Sequence, residues 1–180
     1  MNVIETKLKS CYILEPVVFK DERGSLFVSF NKNTFEELTG QNGTFVQDNQ
    51  SSSSYGVVRG LHLQKGEHAQ AKLVRVLEGK ILDIAVDLRK ESETYGQWVA
   101  VELSADNKKQ LYIPRGFAHG FSVLSETASV LYKCDNFYHK ESEAGIQYND
   151  PDLNIDWQIP KESMIISDKD MGLSSFKSWV

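Results

Sequence analysis

Apolar residues alternate with polar ones over many short stretches of the chain, and turn-forming residues separate these stretches. This period of two predicts β-strands, because successive side chains of a strand point to opposite faces of a sheet. The predicted strands cover residues 11–19, 25–30, 44–49, 80–88, 98–103, 110–113, 117–124 and 129–138, and residues 56–79 predict a strand, a loop and a second strand. Pro16 predicts that the first of them lies at a sheet edge, since proline cannot donate to a ladder.

A helix is predicted at a single place. Asn33 is a candidate N-cap for residues 34–39, and Gly40 is placed to end the helix. The serines at 51–54 predict a loop, and the polar sequence after Gly145 predicts an irregular C-terminal segment that covers one end of the fold. Many short strands with turns between them favour an all-β sandwich or barrel with short helices.

The composition narrows the class of protein. A chain of 180 residues can bury a sizeable core, so residues 1–180 are predicted to form a single domain. The net charge of −5 argues against nucleic acid as a partner, although a local cationic pocket stays compatible with it. Two cysteines, Cys11 and Cys134, are too few for a disulfide framework and indicate a reducing, cytoplasmic location. The chain has neither a signal-peptide pattern nor an apolar stretch of ~18 residues, so no membrane partner is expected.

Residues 56–79 are the richest in candidate chemistry. They bring Arg59, His62, Gln64 and Lys72 onto two neighbouring strands, and His62 and Gln64 are predicted to share one face. A half-buried strand rarely carries arginine, histidine and lysine together unless an anion or a reacting group lies among them. This stretch therefore predicts a site for an anionic or reactive ligand.

Two motifs, taken together, resemble the two boxes of the cupin jelly roll, which is a double-stranded β-helix. The first consists of Gly56, His62, Gln64, Lys72 and Gly79, and the second, in the sequence IPRGFAHGF, of Pro114, Gly116 and His119. This resemblance implies that the all-β fold is a cupin-type jelly roll.

The same comparison speaks against a catalytic metal. In metal-binding cupins the first box supplies two histidines and a glutamate, whereas here Gln64 replaces the second histidine and Lys72 lies closest to the expected glutamate. A divalent cation prefers imidazole and carboxylate ligands, and an adjacent ammonium would repel it. We therefore expect neither a metal nor another cofactor, and a metal site would require Gln64 or Glu67 as a ligand.

Longer segments resemble the dTDP-4-dehydrorhamnose 3,5-epimerase family. They are DERG at 21–24, QDN at 47–49, GVVRGLH at 56–62, KLVRV at 72–76, DIAVDLR at 83–89, YIPRGFAHGF at 112–121, LYK at 131–133 and NDPDLNIDW at 149–157, and the resemblance covers residues 10–170. It implies an enzyme that inverts carbons 3 and 5 of dTDP-4-dehydro-6-deoxy-D-glucose to give dTDP-4-dehydro-L-rhamnose, a precursor of surface polysaccharide, without a cofactor. It also implies a homodimer in which N-terminal strands form part of the interface and residues near Phe27 reach the partner's site.

Four residues match the catalytic positions of that family. His62 matches the family's base, and an imidazole can accept a proton near neutrality. Asp170 matches the family's carboxylate that orients this base. Lys72 matches the lysine that stabilises the enolate, and Tyr132 matches the acid, since a phenol stays protonated at neutral pH. His119 matches a site histidine that binds the sugar or supports Lys72.

Further residues match positions that bind the nucleotide sugar. They are Arg23, Phe27, Gln47, Asn49, Arg59, Tyr138, Glu143 and Lys169. Arginine suits a pyrophosphate because its guanidinium binds two oxygens at once, and Phe27 and Tyr138 can stack on thymine. The chain departs from the family at Val28, where glutamate is common. His68 and His139 match no functional position and are expected at the surface.

Three alternative functions stay open from the sequence. The nearest is an epimerase that acts on one carbon only or on a different nucleotide 4-keto-sugar, and the Val28 difference keeps it open. The second is a metal-dependent cupin oxygenase. The third is a cupin that binds a nucleotide sugar without catalysis, in which case His62 and Tyr132 would exchange no protons.

Overall fold

The computed structural model describes residues 1–179, which form two antiparallel sheets and a separate hairpin. The strands are β1 Asn2–Glu5, β2 Tyr12–Glu15, β3 Val18–Asp21, β4 Gly24–Phe27, β5 Gln47–Ser54, β6 Val58–Gln64, β7 Lys72–Glu78, β8 Lys80–Asp87, β9 Trp98–Ser104, β10 Gln110–Ile113, β11 Phe117–Val123, β12 Thr127–Cys134 and β13 Glu143–Gly145. The α-helices are α1 Lys32–Thr39 and α2 Asp168–Met171. Short 3-10 turns occur at Gly66–His68, Lys140–Ser142, Lys161–Ser163 and Phe176–Ser178.

The two sheets pack on each other. The six-stranded sheet has the order β1-β2-β10-β7-β12-β5, the five-stranded sheet has the order β13-β6-β11-β8-β9, and β3 pairs with β4 as a hairpin outside both. Apolar residues from both sheets form one buried cluster, to which Val74 of β7, Ala85 of β8 and Phe121 of β11 belong. The architecture is the predicted all-β cupin-type jelly roll.

The outer face of the five-stranded sheet is also covered. Leu82, Ile84 and Val86 of β8 pack with Leu153 and Trp157 of the C-terminal segment in a second buried cluster. Strand β8 is therefore buried on both faces, which accounts for its nearly continuous apolar sequence. The predicted covering role of the C-terminal segment is confirmed.

Helix α1 packs on the six-stranded sheet, where the buried Phe35 contacts Tyr112 of β10. Asn31 caps the helix, because its side chain accepts the backbone N–H of Thr34 at 3.0 Å. The predicted cap, Asn33, was wrong and lies inside the first turn. Gly40 ends the helix as predicted, in the left-handed conformation with φ 66°.

Three strand predictions needed correction. The stretch 11–19 is two strands separated by Pro16, and β2 lies inside the six-stranded sheet rather than at its edge. Because Pro16 follows the last residue of β2, its missing N–H interrupts no ladder. The serines at 51–54 are not a loop but the second half of β5, where β12 pairs with them residue by residue. β12 itself ends at Cys134, short of the predicted residue 138.

No helix among residues 1–179 combines the length and the apolar character that crossing a membrane requires.

Candidate active site

His62 and Asp170 form a pair although 108 residues separate them in the chain. The Nε2 atom of His62, on β6, lies 2.7 Å from Oδ1 of Asp170, on α2. The other carboxylate oxygen accepts the backbone N–H of Gly60 at 3.1 Å, and Ser167 caps the helix by accepting the N–H of Asp170. Burial raises the pKa of Asp170, but hydrogen bonds from His62 and Gly60 outweigh it and hold the pKa below its ordinary value. An ionised carboxylate therefore fixes the imidazole.

Lys72 opens β7 and sends its ammonium toward Tyr132, with Nζ 5.8 Å from the centre of the phenol ring. Burial lowers the pKa of Lys72, and the carboxylates of Asp83 and Glu143 partly offset this effect. Within residues 1–179 the ammonium makes no salt bridge, so its charge is available to a ligand.

Tyr132 lies on β12 across from His119, with 6.4 Å between the ring centres. Burial raises the pKa of Tyr132, so the phenol keeps its proton well above neutral pH. A partly buried, protonated phenol next to a lysine can donate a proton to a carbanion or enolate.

His119 forms a second pair with a carboxylate. It lies on β11 directly opposite His62 of β6, and its Nε2 atom is 2.8 Å from Oδ1 of Asp83 on β8. Both members of the pair are buried, and burial lowers the pKa of His119. Asp83 was not among the predicted site residues. Its signal was a carboxylate in the middle of an otherwise apolar strand, where an acid needs a partner.

A cavity of about 360 Å³ brings most of the predicted residues together. Its lining consists of Gln47, Asn49, His62, Leu63, Gln64, Gln70, Lys72, Tyr132, Tyr138 and Glu143. These residues come from both sheets, from the connection before β7 and from the segment after β12. A larger cleft of about 740 Å³ near Glu5 and Arg89 contains none of the predicted site residues.

The residues predicted for the nucleotide form a connected rim. Glu143 accepts hydrogen bonds from Lys169 at 2.6 Å and from the hydroxyl of Tyr138 at 3.2 Å. Gln47 accepts the backbone N–H of Tyr138 and donates to Asn49. Tyr138 is exposed and could stack on a base from this position.

Six predicted residues are absent from this lining, namely Arg23, Phe27, Arg59, His119, Lys169 and Asp170. Asp170 and Lys169 still bond to His62 and Glu143 of the lining. Arg23 and Phe27 lie on the β3–β4 hairpin, where Arg23 is 85% exposed and pairs with Asp21. The hairpin belongs to neither large sheet, so nothing in the fold directs it toward the cavity. Arg59 lies on β6 close to the cavity and donates to Ser53 at 3.2 Å.

Gln64 has a structural explanation at the position where metal-binding cupins carry a histidine. Its amide nitrogen donates to the carbonyls of His68 and Phe137 at 2.6 and 3.1 Å, and its oxygen accepts the N–H of His139 at 2.7 Å. Both polar atoms are thus committed to the backbone. Glu67, the other conceivable ligand, has an exposed side chain. Within residues 1–179 no group of three or more histidine, cysteine or acidic side chains is arranged to hold a metal ion.

His68 and His139 are partly exposed and contact each other. Their rings stack with 3.7 Å between centres and an interplanar angle of 8°. The stack joins the turn after β6 to the segment that carries Tyr138, and it lies outside the cavity lining.

The cavity of this cupin-type jelly roll holds a histidine–carboxylate pair, a lysine and a tyrosine. This combination is typical of a class of sugar-epimerising enzymes. The family model for dTDP-4-dehydrorhamnose 3,5-epimerase matches residues 5–178, and the chain belongs to this family. The dTDP-4-dehydrorhamnose 3,5-epimerase of Salmonella typhimurium is 57% identical over 166 residues, or 91% of each chain.

Solved structures agree with the family assignment. The dTDP-4-dehydrorhamnose 3,5-epimerase of Elizabethkingia anophelis is 63% identical, with a TM-score of 0.96 over 98% of this chain and 97% of that one. The dTDP-6-deoxy-D-glucose-3,5-epimerase of Legionella pneumophila, solved in complex with dTDP-4-keto-L-rhamnose, is 48% identical, with a TM-score of 0.94 over 98% and 93% of the two chains.

Proposed function

We propose that this chain inverts carbons 3 and 5 of dTDP-4-dehydro-6-deoxy-D-glucose to give dTDP-4-dehydro-L-rhamnose. The observation that carries the proposal is the arrangement of His62, Asp170, Lys72 and Tyr132 around one cavity. Membership of the epimerase family supports the substrate and the reaction.

The first half of the reaction is proton abstraction. The C4 ketone acidifies the hydrogens on carbons 3 and 5, and His62 removes one of them, because its Nδ1 atom makes no hydrogen bond within residues 1–179 while Nε2 faces Asp170. The electron pair of the broken C–H bond moves onto the ketone oxygen as an enolate. The unpaired ammonium of Lys72 stabilises this negative charge in a site where burial strengthens the interaction.

The second half is reprotonation from the opposite face. Tyr132 donates its hydroxyl proton to the carbon, and the enolate collapses back to the ketone. The imidazolium of His62, stabilised by Asp170, releases its proton to solvent, and Tyr132 regains one. The same cycle at the second carbon completes the two inversions, so no redox step and no cofactor enters the balance.

The rim of the cavity holds the nucleotide. Tyr138 stacks on the base, and Lys169, Arg59, Gln47 and Asn49 supply cationic and hydrogen-bonding groups for the diphosphate and sugar. The complex of the Legionella relative with a dTDP-sugar supports this assignment. His119, with one ring nitrogen held by Asp83, contacts the sugar.

The active form is a homodimer in the cytoplasm, in which residues 1–180 of each chain act as one domain. The β3–β4 hairpin supports dimerisation because Leu26 and Phe19 are 74% and 65% exposed, which is unusual for large apolar side chains in a lone chain. In the dimer Arg23 and Phe27 of one chain complete the cavity of the other. The free, buried Cys11 and Cys134 are consistent with a reducing compartment.

Proton exchange tests the proposed reaction. The protein is incubated with dTDP-4-dehydro-6-deoxy-D-glucose in deuterated water without added metal, and NMR follows deuterium at each carbon. Deuterium enters both carbons with the wild type and neither with His62→Ala. His68→Ala, which removes a histidine outside the cavity, serves as the matched control and retains exchange.

The outcomes separate the rival functions. Deuterium at carbon 3 alone would indicate a single-carbon epimerase. This alternative rests on the exposed Val28, which stands where the family commonly has glutamate. Binding of the nucleotide sugar without exchange at either carbon would indicate a binding protein. Stoichiometric iron, manganese or zinc in protein purified without chelator, together with loss of activity after its removal, would point to the oxygenase.

A further inference from the structure

Strand β8 carries two buried carboxylates, and within residues 1–179 only one of them has hydrogen-bond partners for both of its oxygens. Asp87 accepts hydrogen bonds from Arg89, Ser92 and Thr94 through its two oxygens. Asp83 is equally buried, but only its Oδ1 atom has a partner, the Nε2 atom of His119. Its Oδ2 atom is buried and receives no hydrogen bond from any group within residues 1–179. An anionic oxygen in that position is costly unless a positive charge compensates it.

The compensating charge comes from the facing sheet. Asp83, His119 and His62 project from neighbouring strands of the five-stranded sheet, while Lys72 projects from β7 of the six-stranded sheet. The ammonium of Lys72 lies within electrostatic range of Asp83 and has no ion-pair partner in the described chain. The carboxylate of Asp83, with one oxygen that receives no hydrogen bond within residues 1–179, and the ammonium of Lys72 thus lie on opposite walls of the same interior.

We propose that Asp83 is a positioning residue that keeps Lys72 protonated and fixes His119 as a hydrogen-bond acceptor for a hydroxyl group of the sugar. The inference rests on the proposed role of Lys72 toward the enolate. It adds a function for a carboxylate that does not itself line the cavity.

The acceptor role of His119 follows from its tautomer. An ionised Asp83 can only accept, so Nε2 of His119 must carry the proton and donate it. The Nδ1 atom then holds a lone pair and makes no hydrogen bond within residues 1–179. Since burial lowers the pKa of His119, the ring stays neutral and Nδ1 remains an acceptor. A sugar hydroxyl is the donor that fits it.

The charge of Lys72 depends on several groups that face it. His62 and His119 project from the five-stranded sheet, Tyr132 and Cys134 from β12, and Glu143 from β13. Among the carboxylates, Asp83 is buried and cannot be screened by solvent, so its loss weakens the protonated form of Lys72 most. Removing the charge of Asp83 therefore lowers the pKa of Lys72. As a result, activity at high pH is lost at a lower pH than in the wild type.

The test compares Asp83→Asn with Asp87→Asn, which makes the same change at equal burial on the same strand. Asparagine keeps an oxygen that accepts from His119 and removes the charge, with a neutral amide NH2 group in place of the second oxygen. We expect the basic limb of the kcat/KM profile to move down by about one pH unit in Asp83→Asn. Asp87→Asn loses thermal stability but keeps the wild-type profile.

Other outcomes decide against the inference. Superimposable profiles for Asp83→Asn and wild type, or equal shifts in both variants, would overturn it, whereas a wild type without turnover would defeat the proposed function instead. ¹⁵N NMR of histidine-labelled wild-type protein tests the tautomer without any variant. A proton on Nδ1 of His119 would overturn the inference even if Asp83→Asn failed to fold.

Discussion

Single side chains at this site act through their partners. His62 can serve as a base of defined orientation because Asp170 holds one nitrogen, and Asp170 can do so because Gly60 and the capped helix α2 hold the carboxylate. Motif comparison predicted His62 and Asp170, but it predicted neither the Gly60 contact, nor helix α2, nor a role for Asp83. Its partner, His119, was predicted, but the contact depends on the register between β11 and β8, which no local pattern specifies.

Asp170→Asn should lower kcat by about 10²- to 10⁴-fold with little change in KM, because the amide neither stabilises the imidazolium nor fixes the tautomer. Steady-state kinetics at pH 7 measure this effect. Asp168→Asn, two residues away on the exposed side of the same helix, is the matched control and should behave like wild type. Equal losses in both variants would mean that the helix, not the carboxylate, matters.

Asp170 should also affect how the stability of the fold depends on pH. Its pKa is lowered in the folded protein, so it stabilises the fold above its ordinary pKa and this contribution disappears as pH falls through the folded-state value. Thermal unfolding of the wild type should therefore weaken more steeply below about pH 4 than that of Asp170→Asn. Parallel curves for the two proteins would contradict this assignment.

Tyr132→Phe should abolish inversion while deuterium exchange from the side of His62 persists in part. The hydroxyl makes no hydrogen bond within residues 1–179, so its removal leaves no buried partner unsatisfied and should change the free energy of unfolding by less than about 1 kcal/mol. Product analysis, exchange NMR and urea unfolding together test this separation. Wild-type turnover in the variant would remove Tyr132 from the role of acid.

At the scale of elements, the local pattern predicted some strands correctly, whereas others depend on burial and on pairing with strands distant in sequence. The apolar alternation of β8 and the box motifs predicted their strands because both signals are local. The serines of β5 resembled a loop, and only their pairing with β12, distant in sequence, makes them a strand. For the same reason the placement of the β3–β4 hairpin outside both sheets could not be predicted from its own residues.

The turn between β7 and β8 should be intolerant of any side chain. Gly79 has φ 76°, and a Cβ atom there would overlap the carbonyl of Thr127. Gly79→Ala should cost about 2 kcal/mol or more of unfolding free energy. Gly66→Ala is the control, since Gly66 has φ 65° but open space around the missing Cβ, and it should cost about 1 kcal/mol. Equal losses in denaturant titrations would show that the overlap is relieved cheaply.

For the whole molecule, the proposed dimer predicts complementation between two inactive variants. If Arg23 serves the partner's cavity, Arg23→Ala and His62→Ala put their defects in different places. In a mixed dimer one cavity then carries both defects and the other carries neither. Unfolding and refolding the two variants together at equal amounts should recover about a quarter of wild-type activity, because half of the dimers are mixed.

The control for complementation is a mixture of His62→Ala and Tyr132→Phe. Both residues line the cavity of the chain that carries them. In this mixture, unlike the first, a mixed dimer has no intact cavity, so no activity should return. Recovery with this control, or none with Arg23→Ala, would contradict the exchange of hairpins between subunits.

The commitment of Gln64 to three backbone hydrogen bonds bears on how this enzyme could evolve. A mutation to histidine at this position would not simply approach a metalloenzyme, because it would first release the segment that carries Tyr138 and Glu143. The intermediate genotype would lose its present activity before any new one could arise. Selection therefore faces a fitness valley at this codon, and laboratory evolution toward metal chemistry on this scaffold should start by rebuilding residues 137–143 and only then replace the glutamine.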